Sequence, residues 1–123
     1  MLDTYALIEL FRGEKKGKMV KQLLTKKRPV FVSVLSLFEL GYVLEKEVGE
    51  QRSRDYTRSI KTYYNVVDID EKNAMNAIEL KQKYNLPAVD CLIYSSARFH
   101  NAKVVSGCKH FREISREKDI IVI

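Results

Sequence analysis

Cysteine is scarce in this 123-residue chain, with Cys91 and Cys108 the only two. Two are too few for a disulfide framework, and their spacing matches no zinc motif. Long apolar runs are missing as well, so no segment predicts a membrane span. The start carries Asp3 and Glu9 where a secretory leader needs a basic region and an apolar run. There is no internal repeat, no linker and no low-complexity segment. Together these absences predict one domain over residues 1–123, cytoplasmic, with reduced thiols. What is present suffices for a single core, since 46% of the residues are apolar.

Acidic charge is the other shortage. Lys and Arg number 22 against 16 Asp and Glu, a net charge of +6. The excess is concentrated early: EKKGKMVKQLLTKKR, Glu14 to Arg28, holds seven basic residues and one acid. A basic domain suggests a polyanionic partner, nucleic acid first. A Lys-rich helix face turned to water explains a charge run equally well, unless a binding or catalytic site lies nearby.

Periodicity alternates along the chain. Met1 and Leu2 read as the remnant of a strand. Helices are predicted over Thr4–Arg12, with Gly13 as the stop, and over Lys16–Lys27 with Met19, Val20, Leu23 and Leu24 as its stripe. Pro29–Val32 reads as a buried strand, and Ser33 caps an almost wholly apolar helix, Val34–Val48. A helix over Gln51–Tyr64, a strand Asn65–Ile69, and a helix Glu71–Tyr84 capped by Asp70 come next. Pro87 opens a helix over Ala88–Phe99. Lys103–Ser106 and Asp119–Ile123 are the last strands. Short apolar strands between helices predict an α/β fold, a parallel sheet covered on both faces. Ligands of such sheets bind beyond the carboxyl ends of the strands.

Four positions stand out, just after strands or on helices that could point there. Asp3 follows the first strand, Glu39 sits within VLSLFELGYVL, Asp90 lies in the first turn after Pro87, and Ser106-Gly107-Cys108 ends a strand. Asp3 also suits a helix N-cap, and Asp90 suits the helix dipole. Glu39, flanked by Leu37, Phe38, Leu40 and Tyr42, is expected to be shielded from water. An unpaired buried carboxylate costs several kcal/mol. A basic partner, a raised pKa or a metal ion would each compensate it. Carboxylates without a histidine suit hard cations such as Mg²⁺ or Mn²⁺, and such a cluster beside a basic surface suits phosphodiester cleavage.

Four blocks then occur in order: LDTYALIELFRG (Leu2–Gly13), SVLSLFELGYVL (Ser33–Leu44), LPAVDCLIYSSAR (Leu86–Arg98) and VVSGCKHFREI (Val104–Ile114). Across its length the chain thereby resembles the PIN-domain ribonucleases, specifically the VapC-type toxins of prokaryotic toxin–antitoxin pairs. The resemblance implies a three-layer sandwich, a mostly parallel five-stranded sheet with helices on both faces. It implies Asp3, Glu39 and Asp90 as catalytic metal ligands holding one or two Mg²⁺ or Mn²⁺ ions, with Cys108 at the place of a fourth ligand. Thr4 and Ser106 would be the hydroxyls that orient carboxylates and water. RNA would be the substrate, with Lys15, Lys16, Lys18 and Lys109 as candidate contacts. The implied partners are a second copy of the chain and a small antitoxin whose tail crosses the groove. Tyr5, Phe11 and Tyr42 suit such a groove, or a plain core.

Two departures from the family pattern stand out. The fourth block commonly carries an acid two residues after its Ser or Thr, and here that residue is Cys108, a soft ligand that Mg²⁺ scarcely uses. The expectation is a weakened nuclease, with a PIN-like protein that binds RNA or a partner without cutting as the alternative. Cys108 with carboxylates and His110 could also hold Zn²⁺. Second, only Met1 and Leu2 precede Asp3, so we expect either a natural start upstream or a severely clipped strand. A receiver-type phosphoacceptor domain shares the sheet architecture, but it needs paired acids after the first strand, and Asp3 stands alone.

Overall fold

The computed structural model describes residues 1–24 and 28–123. The chain begins with Leu2 and then α1 (Thr4–Arg12), which Asp3 caps by accepting a 2.8 Å hydrogen bond from Ala6 N–H. Gly13 ends α1 in the left-handed conformation. Next comes α2 (Lys15–Leu24), which packs on α1 at very close range. A Cβ on Gly17 would fall 2.1 Å from the Glu9 carbonyl oxygen, so only glycine permits that approach. The last residues of the expected second helix, 25–27, lie outside the described residues.

The next unit is β1 (Phe31–Ser33) and α3 (Val34–Val48), with Ser33 Oγ accepting from Leu35 N–H at 3.1 Å. Then α4 (Glu50–Tyr63), β2 (Asn65–Val67) and α5 (Glu71–Tyr84) follow. Asp70 and Asn73 form a reciprocal capping box at the start of α5. The chain closes with α6 (Ala88–Phe99), β3 (Val104–Ser106), α7 (Lys109–Glu113) and β4 (Ile120–Val122). Pro87 stands just before α6, as its cap. Seven helices are thus present among the described residues. None is long and apolar enough to cross a membrane.

Pairing is parallel throughout: β1 with β2, and β3 with β4. Leu2 bridges both pairs in parallel, to Val32 on one side and Val105 on the other. The α/β architecture is as expected, but the sheet differs in form from a continuous five-stranded one. It consists of two two-stranded parallel pairs joined at one residue. On its carboxyl side the Leu2 bridge stops at once, because Asp3 already belongs to the cap of α1. The backbone bonds Leu2 N to Phe31 O (2.9 Å) and Val105 N to Met1 O (2.8 Å) hold this seam.

The core divides between the two faces of the sheet, because successive strand residues such as Val104 and Val105 point to opposite sides. One cluster gathers Leu2, Leu7, Val20, Val32, Leu40, Leu44 and Ile60; the other gathers Ile93, Tyr94, Val104, Phe111 and Ile120. Helix α3, almost wholly apolar, leaves part of its apolar surface unburied. Val34, Phe38 and Tyr42 face outward, Phe38 at 69% exposure, with the Phe38 and Tyr42 rings edge to face at 5.3 Å.

Candidate active site

The carboxyl ends of Leu2, β1 and β3 open on one cleft of about 340 Å³. Each end launches a helix or a tight turn, and that is how residues far apart in sequence meet there. Asp3 arrives with the start of α1, Glu39 from the second turn of α3, and Asp90 from the first turn of α6. Cys108 and His110 arrive with the corner from β3 into α7. Thr4 and Tyr5 complete the wall on the α1 side, and Pro87 to Val89 on the α6 side. All four positions singled out in the sequence therefore lie near one another.

Their environments differ. Asp3 is only 3% exposed, and burial pushes its carboxyl up to about 7. Hydrogen bonds from Ser106 and from Ala6 N–H oppose that rise, while the charges of Asp90 and Glu39 add to it. Asp90 is half-buried, and burial raises its pKa too; His110 pulls it back down and Glu39 adds to the rise. His110 Nδ1 lies 2.9 Å from Asp90 Oδ2. The Cys108 thiol is likewise raised, first by burial, with Ser106 pulling the other way. The three carboxylates thus repel one another across a space that holds no basic side chain hydrogen-bonded to Asp3 or Glu39 among the described residues.

Glu39 corrects an expectation. It is half-buried at the cleft, like Asp90, rather than enclosed by its apolar neighbours: Leu37 and Leu40 join the core, while Phe38 and Tyr42 are exposed. Its Oε2 accepts a hydrogen bond from the Thr4 hydroxyl. Ser106 is fully buried, and its Oγ accepts from Cys108 N–H at 3.1 Å. Of the lysines, Lys16 reaches the cleft wall, with Nζ 2.6 Å from the Tyr5 hydroxyl and 4.8 Å above its ring. Lys15 and Lys109 are exposed, while Lys18 lines a separate groove with Lys21 and Tyr63. Of the three groove aromatics, Tyr5 lines the cleft and Tyr42 is exposed. Phe11 packs edge to face on Tyr56 at 4.8 Å.

His110 is the residue whose place at the cleft sequence reasoning weighed only as a zinc ligand. The signal available was its spacing, two residues after Cys108, which becomes legible once α7 is known to begin at that corner.

The fold and cleft define a class: a parallel α/β domain with three acids gathered at the carboxyl edge of its strands. The family model for the PIN domain matches residues 1–117, and the chain belongs to that family. Its structure is similar to a toxin–antitoxin complex from Klebsiella pneumoniae, at 25% identity and TM-score 0.77, covering 98% of this chain and 94% of that one. It is similar to VapBC2 from Rickettsia felis bound to a DNA fragment from its promoter, at 20% identity and TM-score 0.77, covering 100% and 96%. It is also similar to Mycobacterium tuberculosis VapC20, a sarcin-ricin loop cleaving toxin, at 18% identity and TM-score 0.69, covering 84% and 85%. No curated protein matches the chain in sequence.

Proposed function

We propose that the cleft is the active site of a metal-dependent endoribonuclease and that the protein is the toxin of a toxin–antitoxin module. The observation that carries this reading is the convergence of Asp3, Glu39 and Asp90 on one cleft in a PIN domain. Asp3 and Asp90 both have raised pKa values, first through burial and then through neighbouring carboxylate charge, and a divalent cation would offset both causes. The oxygen donors fit Mg²⁺ or Mn²⁺, and Asp3, Glu39 and Asp90 would hold the ion. The ion supplies Lewis acidity toward water and the scissile phosphate.

The surrounding groups serve those acids. Thr4 fixes one oxygen of Glu39, and Ser106 fixes Asp3. His110 holds Asp90 through Oδ2, and Asp90 lines the cleft. Lys16 on Tyr5 places positive charge at the rim, where an RNA phosphate would pass, and Lys15, Lys18 and Lys109 extend that field. The exposed Phe38–Tyr42 pair lies on the helix that carries Glu39 and suits a tail of the antitoxin crossing the site. A homodimer, a cytoplasmic setting, and two parallel pairs acting as one five-stranded sheet belong to the same reading. A second reading, binding of RNA or a partner without cutting, is favoured by Cys108 at the place of a fourth acid.

Replacing one ligand tests the first reading. Asp90→Asn should lower Mg²⁺- or Mn²⁺-dependent RNA cleavage by at least about 100-fold with an unchanged circular dichroism spectrum. Normal cleavage by this variant would show that the acids do not form the site. A gel shift without cleavage, in the unmodified protein across several RNAs and both metals, would favour the second reading.

A further inference from the structure

The cleft holds a second donor set that overlaps the first at one residue. Asp90, Cys108 and His110 each offer one ligand atom, and these atoms all lie within 4.8 Å of one another. All three are half-buried and line the cleft. The corner that carries two of them is braced. Arg112 Nε donates to the Gly107 carbonyl at 2.9 Å, and its Nη2 donates to the Ile123 carbonyl at 3.0 Å. Gly107 packs so tightly on Tyr5 that an added Cβ would stand 2.4 Å from the ring. The corner that carries Cys108 and His110 is therefore held against the Tyr5 ring of α1 and the Ile123 carbonyl.

A thiol, an imidazole and a carboxylate are a poor set for Mg²⁺, which takes oxygen ligands in octahedral geometry. They are a common set for zinc. With Zn–S near 2.3 Å and Zn–N or Zn–O near 2.0–2.1 Å, tetrahedral ligand atoms stand about 3.3–3.6 Å apart. The ligand atoms of the trio all lie within 4.8 Å of one another, and His110 Nδ1 and Asp90 Oδ2, at 2.9 Å, are already closer than the tetrahedral spacing. Three protein ligands leave one position free, and here it faces the cleft.

We propose that Asp90, Cys108 and His110 form a three-ligand site for a borderline-soft divalent cation, Zn²⁺ in the first place, with the fourth position open to the cleft. Binding releases the Cys108 thiol proton to solvent, because the thiolate is the ligand. Zinc there engages Asp90 and so competes with Mg²⁺ or Mn²⁺. That consequence rests on the nuclease reading, whereas the site itself does not.

Cobalt(II) serves as the probe, added to the full chain freed of metal. A thiolate-to-cobalt charge-transfer band in the near ultraviolet, with visible bands of four-coordinate intensity, is expected, and Zn²⁺ should displace it. Cys108→Ser should remove the charge-transfer band and Cys91→Ser should keep it. By calorimetry, Cys108→Ser and His110→Ala should each weaken Zn²⁺ binding by about 10- to 100-fold or more. Alkylation of the unmodified chain, read by mass spectrometry, needs no variant: Zn²⁺ should protect half-exposed Cys108. No charge-transfer band, a band that survives in Cys108→Ser, or unprotected alkylation would overturn the site. A cobalt band in a protein that cleaves no RNA would refute the nuclease reading and leave the site standing. Cleavage without the band would do the reverse.

Discussion

Asp3→Asn separates the cost of a site from its use. Asparagine has the shape of the protonated carboxyl and still accepts the capping hydrogen bond that Ala6 N–H donates. Burial pushes the Asp3 carboxyl up to about 7, against about 3.8 for a free side chain. A folded-state pKa above the unfolded one means that the folded protein binds the proton more tightly. Its stabilising effect is therefore complete below about pH 4 and is lost as pH rises toward 7. Each pH unit is worth about 1.4 kcal/mol, so the loss approaches about 4 kcal/mol by neutral pH without metal. The Met1 amino group titrates in the opposite sense, since burial lowers it to about 6. Both proteins share that group, so it largely cancels in their difference. Urea unfolding in chelator from pH 4 to pH 8 should give equal stabilities at the acid end. Asp3→Asn should be the more stable by several kcal/mol at the neutral end. Mn²⁺ should then stabilise the unmodified protein, by about 2.7 kcal/mol at a hundred times its Kd, and leave the variant nearly unchanged. Parallel stability curves would refute the picture of a buried, ionised carboxylate awaiting a cation.

Other expectations follow from neighbouring residues. Cys108→Asp sets a hard oxygen where the family commonly has one, and should tighten Mn²⁺ binding while destabilising the metal-free protein by added repulsion; unchanged Mn²⁺ affinity in calorimetry would count against it. Glu39→Gln keeps the Thr4 hydrogen bond and should end cleavage with a stability change under about 1 kcal/mol, since Glu39 is only half-buried. A drop of several degrees in Tm would instead mark a structural acid. Gly17→Ala should cost about 1–3 kcal/mol or more in urea unfolding, because its Cβ would meet the Glu9 carbonyl at 2.1 Å. Wild-type stability there would mean that α1 and α2 part easily.

Helix ends proved the most legible part of the sequence. The bounds of α1, α3, α5 and α6 match those expected, because Asp3, Ser33 and Asp70 cap them and Gly13 and Gly49 stop two of them. Strands came out shorter than the apolar runs that announce them, since burial continues past the last paired residue. Helix α7 was not expected at all: five residues are too few to show a period. The burial of Glu39 was misjudged for a clear reason. An outward apolar face such as Val34, Phe38 and Tyr42 has the same composition as a core, and only tertiary packing separates the two. The gathering of Asp3, Glu39, Asp90 and Cys108 at one cleft was expected from the family resemblance, since only Asp3 and Cys108 follow a strand directly. The Asp90–His110 contact needed the corner of α7 to be known.

The single-residue seam at Leu2 has a consequence for the order of events during synthesis. Leu2 and Asp3 are made before either of their flanks, since their final place lies between Val32 and Val105. A growing chain can form α1, α3 and their shared core early, but Asp3 has no second flank until β3 has emerged. Asp90 and Cys108 appear in the same late stretch. Contacts this distant in sequence make the closing step slow and place it last. A chain made only as far as α5 therefore carries an unassembled cleft, and the cleft is complete only once α6, β3 and the corner after it have emerged.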